Sequence, residues 1–140
     1  MAQPLAQPLL APSPEPTVPP TPLLPAEATM VGTVAKYFRA LGDPTRLRLL
    51  EFLLGDEHTV TECVTHVGLA QSRVSTHLGC LADCGYVQVR RSGRHAFYRV
   101  VDKRVAQLVV LAHALAADNH SALCACHRIP ESEPADGRVA

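Results

Sequence analysis

The feature that most limits this chain is a change of period partway along it. From Val60 to Cys84 apolar residues recur at helical spacing, in two short runs separated by Gly68-Leu69-Ala70. From Tyr86 to Val100 they alternate instead. The first run, capped by Thr59, covers Val60 to Val67; the second covers Gln71 to Cys84 and stops at Gly85. Two short helices joined by a three-residue turn have the length of a helix-turn-helix pair. The alternating stretches, Tyr86 to Arg90 and His95 to Val100, flank Arg91-Ser92-Gly93-Arg94 and predict a β-hairpin with a basic, glycine-containing tip.

The flanks fit the same plan. A first helix is expected from Thr29 to Leu41, ended by Gly42, and Asp43-Pro44 restarts the chain with an N-cap and a proline whose missing N–H costs nothing there. Leu47, Leu50, Phe52, Leu53 and Leu54 lie on a second helix that stops at Gly55. Asp102 caps a last helix through Ala117 that is apolar nearly all round, which calls for a second chain against it. The expected fold is mainly α with a small β-hairpin: a dimeric winged helix-turn-helix over residues 30–118. Residues 1–29 hold nine of the twelve prolines and are expected to form a disordered arm; residues 119–140 are expected to be an extended, cysteine-containing tail. The start of the chain lacks the pattern of a secretory signal, and no stretch reaches the roughly 18–20 apolar residues of a membrane span, so a cytoplasmic protein is expected.

Net charge conceals an asymmetry. Lys and Arg number 13 and so do Asp and Glu. Yet residues 71–104 carry seven cations (Arg73, Arg90, Arg91, Arg94, Arg99, Lys103, Arg104) against Asp83 and Asp102, a local +5 balanced by −5 elsewhere. A basic footprint on a helix-turn-helix and its wing predicts double-stranded DNA as partner. Gln71, Ser72, Arg73, Ser75 and Thr76 cluster at the start of the second helix, where they would meet bases and phosphates first. Arg90, Arg91 and Arg94 on the wing are spaced for a phosphate backbone or a minor groove. His77 could touch DNA or fill space beneath the helix, and a packed or phosphate-touching histidine is the plainer reading beside that of a metal ligand.

Five cysteines in a reducing compartment point away from a disulfide framework and toward metal binding or reactivity. Cys80 and Cys84 stand four apart with no breaker before Gly85, so both thiols share a helix face within reach of one ion. Small buried cysteines on a helix are ordinary core residues, but a second thiol pair in the polar Cys124-Ala125-Cys126-His127 is not explained by packing. Thiolates suit a soft divalent ion such as cadmium, lead, mercury or zinc rather than magnesium or calcium. Cys63 is expected to be a buried structural thiol; His113 and His120, near the last helix, could each be a spare ligand, with solvent exposure as the default.

The residues from Ala40 to Leu50, Ala-Leu-Gly-Asp-Pro-Thr-Arg-Leu-Arg-Leu-Leu, resemble the opening of the ArsR/SmtB family of metal-sensing transcriptional repressors. Gln71 to Leu78 is similar to that family's recognition helix, and Gly93 to Tyr98 to its wing. Within the family, Cys80 and Cys84 resemble the pair of the CmtR-type cadmium/lead sensors, which take a third cysteine from the C-terminal tail, matched best here by Cys124; Cys126 is an extra thiol without a counterpart. Two other family sites are missing. Thr61-Glu62-Cys63 stands where the arsenic and cadmium sensors carry a Cys-Val-Cys-Asp motif, and Asp102 is followed by Arg104 rather than the histidine of the last-helix zinc site. The resemblance implies a homodimer that binds a palindromic operator in the apo form and leaves it when the thiolates take up metal.

Two other readings use the same residues. Cys80/Cys84 or Cys124/Cys126 oxidising, rather than ligating, would make a thiol-redox repressor of the same fold. A chain with no operator would be a metal-scavenging or interaction module. No nucleophile–base pair or phosphate loop suggests an enzyme.

Overall fold

The computed structural model describes residues 25–131, with side chains from Thr29 onward. The chain runs through α1 (Pro25–Leu41), α2 (Pro44–Phe52), β1 (His58–Thr59), α3 (Val60–Val67), α4 (Gln71–Asp83), β2 (Gln88–Ser92), β3 (His95–Arg99), α5 (Lys103–Asp118) and α6 (His120–Ala125). This is the expected winged helix-turn-helix, with two changes at its ends. Most of the proline-rich arm lies outside the described residues, but residues 25–29 of it form the opening of α1. Pro25 leads a helix because its fixed φ and absent N–H suit a first turn. The expected extended tail begins instead with α6, a six-residue helix started after α5 breaks at Asn119. Residues 132–140 lie outside the described residues.

Local chemistry sets each junction. Asp43 accepts from the Arg46 N–H (3.0 Å) and caps α2, with Pro44 next in line. Thr59 and Glu62 form a reciprocal capping box on α3: Glu62 N–H donates to the Thr59 hydroxyl at 3.3 Å and Thr59 N–H to the Glu62 carboxylate at 2.7 Å. Gly68 ends α3 at φ 72°, a left-handed conformation that lets the chain double back into α4 within three residues. At the far end of α4, Gly85 N–H donates to Ala82 O and Tyr86 N–H to Leu81 O, the paired bonds of a Schellman stop. That stop holds Cys84 at the C-cap of α4.

The core gathers Leu49, Leu50 and Leu53 with Cys63, Val74, Leu78, Leu81 and Tyr86, all of them buried. Val74, Leu78 and Leu81 mark the buried stripe of α4 at the spacing of one helix face. Tyr86 stacks on Tyr37 (centroids 4.0 Å apart) and donates its hydroxyl to the Tyr37 carbonyl at 2.8 Å, fastening α1 to the base of the wing. The wing is larger than a hairpin. β3 pairs antiparallel with β2 on one side and with the two-residue β1 on the other, giving the order β1-β3-β2 with Thr59 opposite Phe97 and Arg90 opposite Phe97 across the other edge. Gly93, at φ 59°, opens the two-residue turn at the tip.

Two helices leave apolar faces open. Met30, Val31, Val34 and Phe38 on α1 are exposed, as are Val110, Leu111 and Leu115 on α5. Among the described residues no helix is long and apolar enough to cross a membrane.

Candidate DNA interface and metal site

Burying Val74, Leu78 and Leu81 turns the opposite side of α4 outward. Gln71, Ser72, Arg73, Ser75 and Thr76 are all exposed there, and Thr76 donates its hydroxyl back to the Ser72 carbonyl at 2.9 Å. Ala70, the N-cap, offers no side-chain acceptor, so the first N–H groups of α4 stay open to a phosphate oxygen. His77 does not belong to this outward set. Its side chain is only 15% exposed and its Nδ1 lies 3.9 Å from Asp43 at the start of α2. Burial lowers its pKa, with the Asp43 charge opposing, so the ring packs as a largely neutral group under the helix.

The wing divides its arginines. Arg90 is taken: its Nε and Nη2 donate to the Glu57 carboxylate at 3.1 and 2.6 Å, and its guanidinium lies 4.5 Å from the centre of the Phe97 ring. The hydrogen bond from Arg90 holds the Glu57 carboxyl below the usual carboxylate range. The arginine expected to reach DNA is therefore a clamp between the β1 edge and the wing. Arg91 and Arg94 are exposed at the tip and make no ion pair with a carboxylate among the described residues.

Cys80 and Cys84 sit one turn apart on α4, each half-buried, on the wall of a cleft of about 630 Å³ between α4 and α1. Thr33, Lys36 and Tyr37 form the facing wall. Burial pushes the Cys84 thiol up, and the neighbouring Cys80 adds to this by charge and hydrogen bond, while the Lys36 ammonium works the other way. A thiol that resists ionising beside a second thiol is a natural seat for a cation, whose charge would offset that of the thiolates. Soft sulfur donors in a cleft fit a soft metal ion, so the donor chemistry of this pair suits the ion the sequence implied.

Cys124 and Cys126 stand apart from that pair. They lie on and just past α6, which follows α5 directly and buries no residue, and among the described residues no three His, Cys, Asp or Glu side chains gather closely enough to hold an ion. The four cysteines expected in one site are thus two separate pairs within a single chain. Cys63 is fully buried in α3, where burial raises its thiol to about 11. Several contacts escaped the sequence reading. Glu57 was invisible as the partner of Arg90 because 33 residues separate them. His113, exposed as expected, also bonds Glu51 and ties α5 to α2. His120 meets Cys124, a pairing that its i, i+4 spacing signals once α6 is known to be helical.

This architecture, with its reading helix, three-stranded wing and flanking helices, defines a winged helix-turn-helix protein. Residues 43–89, from the cap of α2 into β2, match the model of bacterial regulatory proteins of the arsR family. The chain is 60% identical over 98 residues to the "Probable mercury resistance operon repressor" of Streptomyces lividans, covering 70% of this chain and 78% of that one. It is 40% identical over 74 residues to the HTH-type transcriptional regulator CmtR of Mycobacterium tuberculosis, covering 53% of this chain and 63% of CmtR. The homodimeric winged helix-turn-helix DNA-binding domain of a possible ArsR-family transcriptional regulator from Mycobacterium bovis superposes with a TM-score of 0.63 at 31% identity, covering 69% of this chain and 89% of that one. The protein belongs to the ArsR family, and is a transcriptional regulator rather than an enzyme.

The burial pattern makes a direct prediction for the thiols. In the native, reduced protein a disulfide reagent such as DTNB is expected to modify Cys80, Cys84, Cys124 and Cys126 and to spare Cys63 until the chain is unfolded, because reaction needs an accessible thiolate. Peptide mapping of the labelled sites checks this; Cys63 reacting as fast as the others in native protein would contradict its place in the core.

Proposed function

We propose that the protein is a homodimeric repressor that holds operator DNA in the metal-free state and releases it when its cysteines capture a soft metal ion. The observation carrying this reading is that the Cys80–Cys84 pair lies on α4 itself, one turn beyond the exposed Ser75 and Thr76. Whatever draws the two thiols toward a further ligand also pulls on the helix presented to DNA.

The apolar faces of α1 and α5 form the subunit contact in this reading, supported by the homodimeric state of the Mycobacterium bovis domain. α6 follows α5 directly, so a dimer built on α5 brings the α6 of one protomer toward its partner. Cys124, with Cys126 as an extra thiol, then completes the set begun by Cys80 and Cys84. The bound ion, cadmium, lead, mercury or zinc, supplies a positive charge that favours thiolate over thiol and fixes the distance between its ligands. Cys80 and Cys84 would release their protons to solvent on holding the ion, and Lys36 across the cleft favours the anionic form of Cys84. α4 becomes tethered at its C-terminal end, and the cost of seating Gln71, Ser72, Arg73, Ser75 and Thr76 in the major groove rises. Mercury is the first ion to test, because the Streptomyces lividans relative is named for mercury resistance.

On the DNA side, Arg91 and Arg94 act through phosphates. Their joint replacement by alanine is expected to weaken binding to operator and random duplex alike, and to flatten the salt dependence by about one unit of slope per lost contact. A loss confined to the operator complex would mean that the wing reads bases.

The experiment that tests the sensor is operator binding by the reduced protein, followed by fluorescence anisotropy with and without each metal. Wild type is expected to lose about 5–150-fold in operator affinity when metal is added, the range typical of coupled sites. Cys80→Ser and Cys84→Ser are expected to bind the operator as tightly as wild type without metal and to keep it when metal is present. Release of these variants at the same metal concentration, or release of wild type by peroxide and not by metal, would overturn the proposal.

A further inference from the structure

α6 pairs a thiol with an imidazole. His120 Nε2 lies 3.6 Å and its Nδ1 3.9 Å from Cys124 Sγ, across one turn of the helix, and both side chains are exposed. Cys126 is placed differently. It stands past the end of α6 on extended backbone (φ −80°, ψ 103°), half-buried, with its N–H bonded to Leu123 O. The donor that shares a face with Cys124 is therefore His120.

The spacing is that of two ligands on one ion. A sulfur about 2.3 Å and a nitrogen about 2.05 Å from a tetrahedral zinc ion stand about 3.6 Å apart. α6 holds its sulfur and nitrogen this close already. Because the two ring nitrogens stand at similar distances from the sulfur, the imidazole must turn about its own side-chain bonds to aim a lone pair at such an ion, and the helix need not unwind.

We propose that His120 is a nitrogen ligand of the effector site and that it tunes the site toward zinc relative to mercury. The inference rests on the reading that Cys124 joins Cys80 and Cys84. With His120 beside Cys80, Cys84 and Cys124, and Cys126 left off the ion, the donor set becomes three thiolates and one imidazole, a combination that closes four-coordinate zinc. Imidazole suits zinc, whereas mercury is served by the thiolates themselves. Without His120 the site keeps its soft donors and loses the one that discriminates.

The test uses the full-length reduced protein, titrated with zinc and with mercury against competing chelators, and with cobalt as a spectroscopic stand-in for zinc. His120→Ala keeps a strong helix former on α6. It is expected to weaken zinc binding by at least about tenfold, since loss of even an outer-shell partner typically costs 10–100-fold. Mercury affinity is expected to stay unchanged, and the cobalt d–d bands to shift as nitrogen leaves the coordination sphere. Unchanged zinc affinity and an unchanged cobalt spectrum in His120→Ala would overturn the assignment, provided that Cys124→Ser loses zinc. Equal weakening of zinc and mercury would also overturn it, leaving His120 as a support for α6 alone. If Cys80→Ser and Cys124→Ser both bind zinc as wild type does, the shared site itself is what fails.

Discussion

The burial of Val74, Leu78 and Leu81 in the common core is the constraint on which the rest depends. Fully burying each of these side chains contributes on the order of 1.5–3 kcal/mol, and together they fix the rotation of α4 about its axis. That one choice of face turns Gln71, Ser72, Arg73, Ser75 and Thr76 outward at one end and sets Cys80 and Cys84 against α1 at the other. Thr76 and Cys80 are one turn apart, a rise of about 6 Å. A rigid helix that short would transmit a displacement at its thiols to its exposed polar end, so in the proposed reading sensing and DNA contact share a single element.

The wing answers a different requirement. A two-stranded ribbon alone is marginally stable, and the chain adds β1 as a third strand and a buttress from Glu57 to Arg90, with Phe97 beneath the guanidinium. The consequence is a division among three neighbouring cations: Arg90 stiffens the wing, while Arg91 and Arg94 are held out at its tip. The same economy appears at Asp43, which caps α2 and also faces the half-buried His77 of α4. The Asp43-Pro44 signature thus links the start of the helical core to the underside of α4.

Features set by neighbouring residues were legible in the sequence. Asp43, Thr59 and Asp102 cap the helices expected of them, Gly68 and Gly93 make the turns, and the switch from helical to alternating period marks the wing. Features set by distant residues were not. The two residues of β1 are too few to show a period, and Arg90 looked free because its acid is remote in sequence. The prolines before Met30 read as an arm, although Pro25 is well suited to begin a helix. Of the candidate site, the Cys80–Cys84 pair was readable from spacing alone, but the cleft facing it needs α1, and the His120–Cys124 pair needs α6.

If metal and DNA compete through α4, their effects must be reciprocal, because a coupling free energy belongs to both ligands equally. The most direct measurement is the metal affinity of the reduced protein free in solution and again when saturated with operator duplex. The operator-bound form is expected to hold metal more weakly, by the same factor by which metal weakens operator binding. Equal metal affinity in the two states would contradict a sensor built into the reading helix.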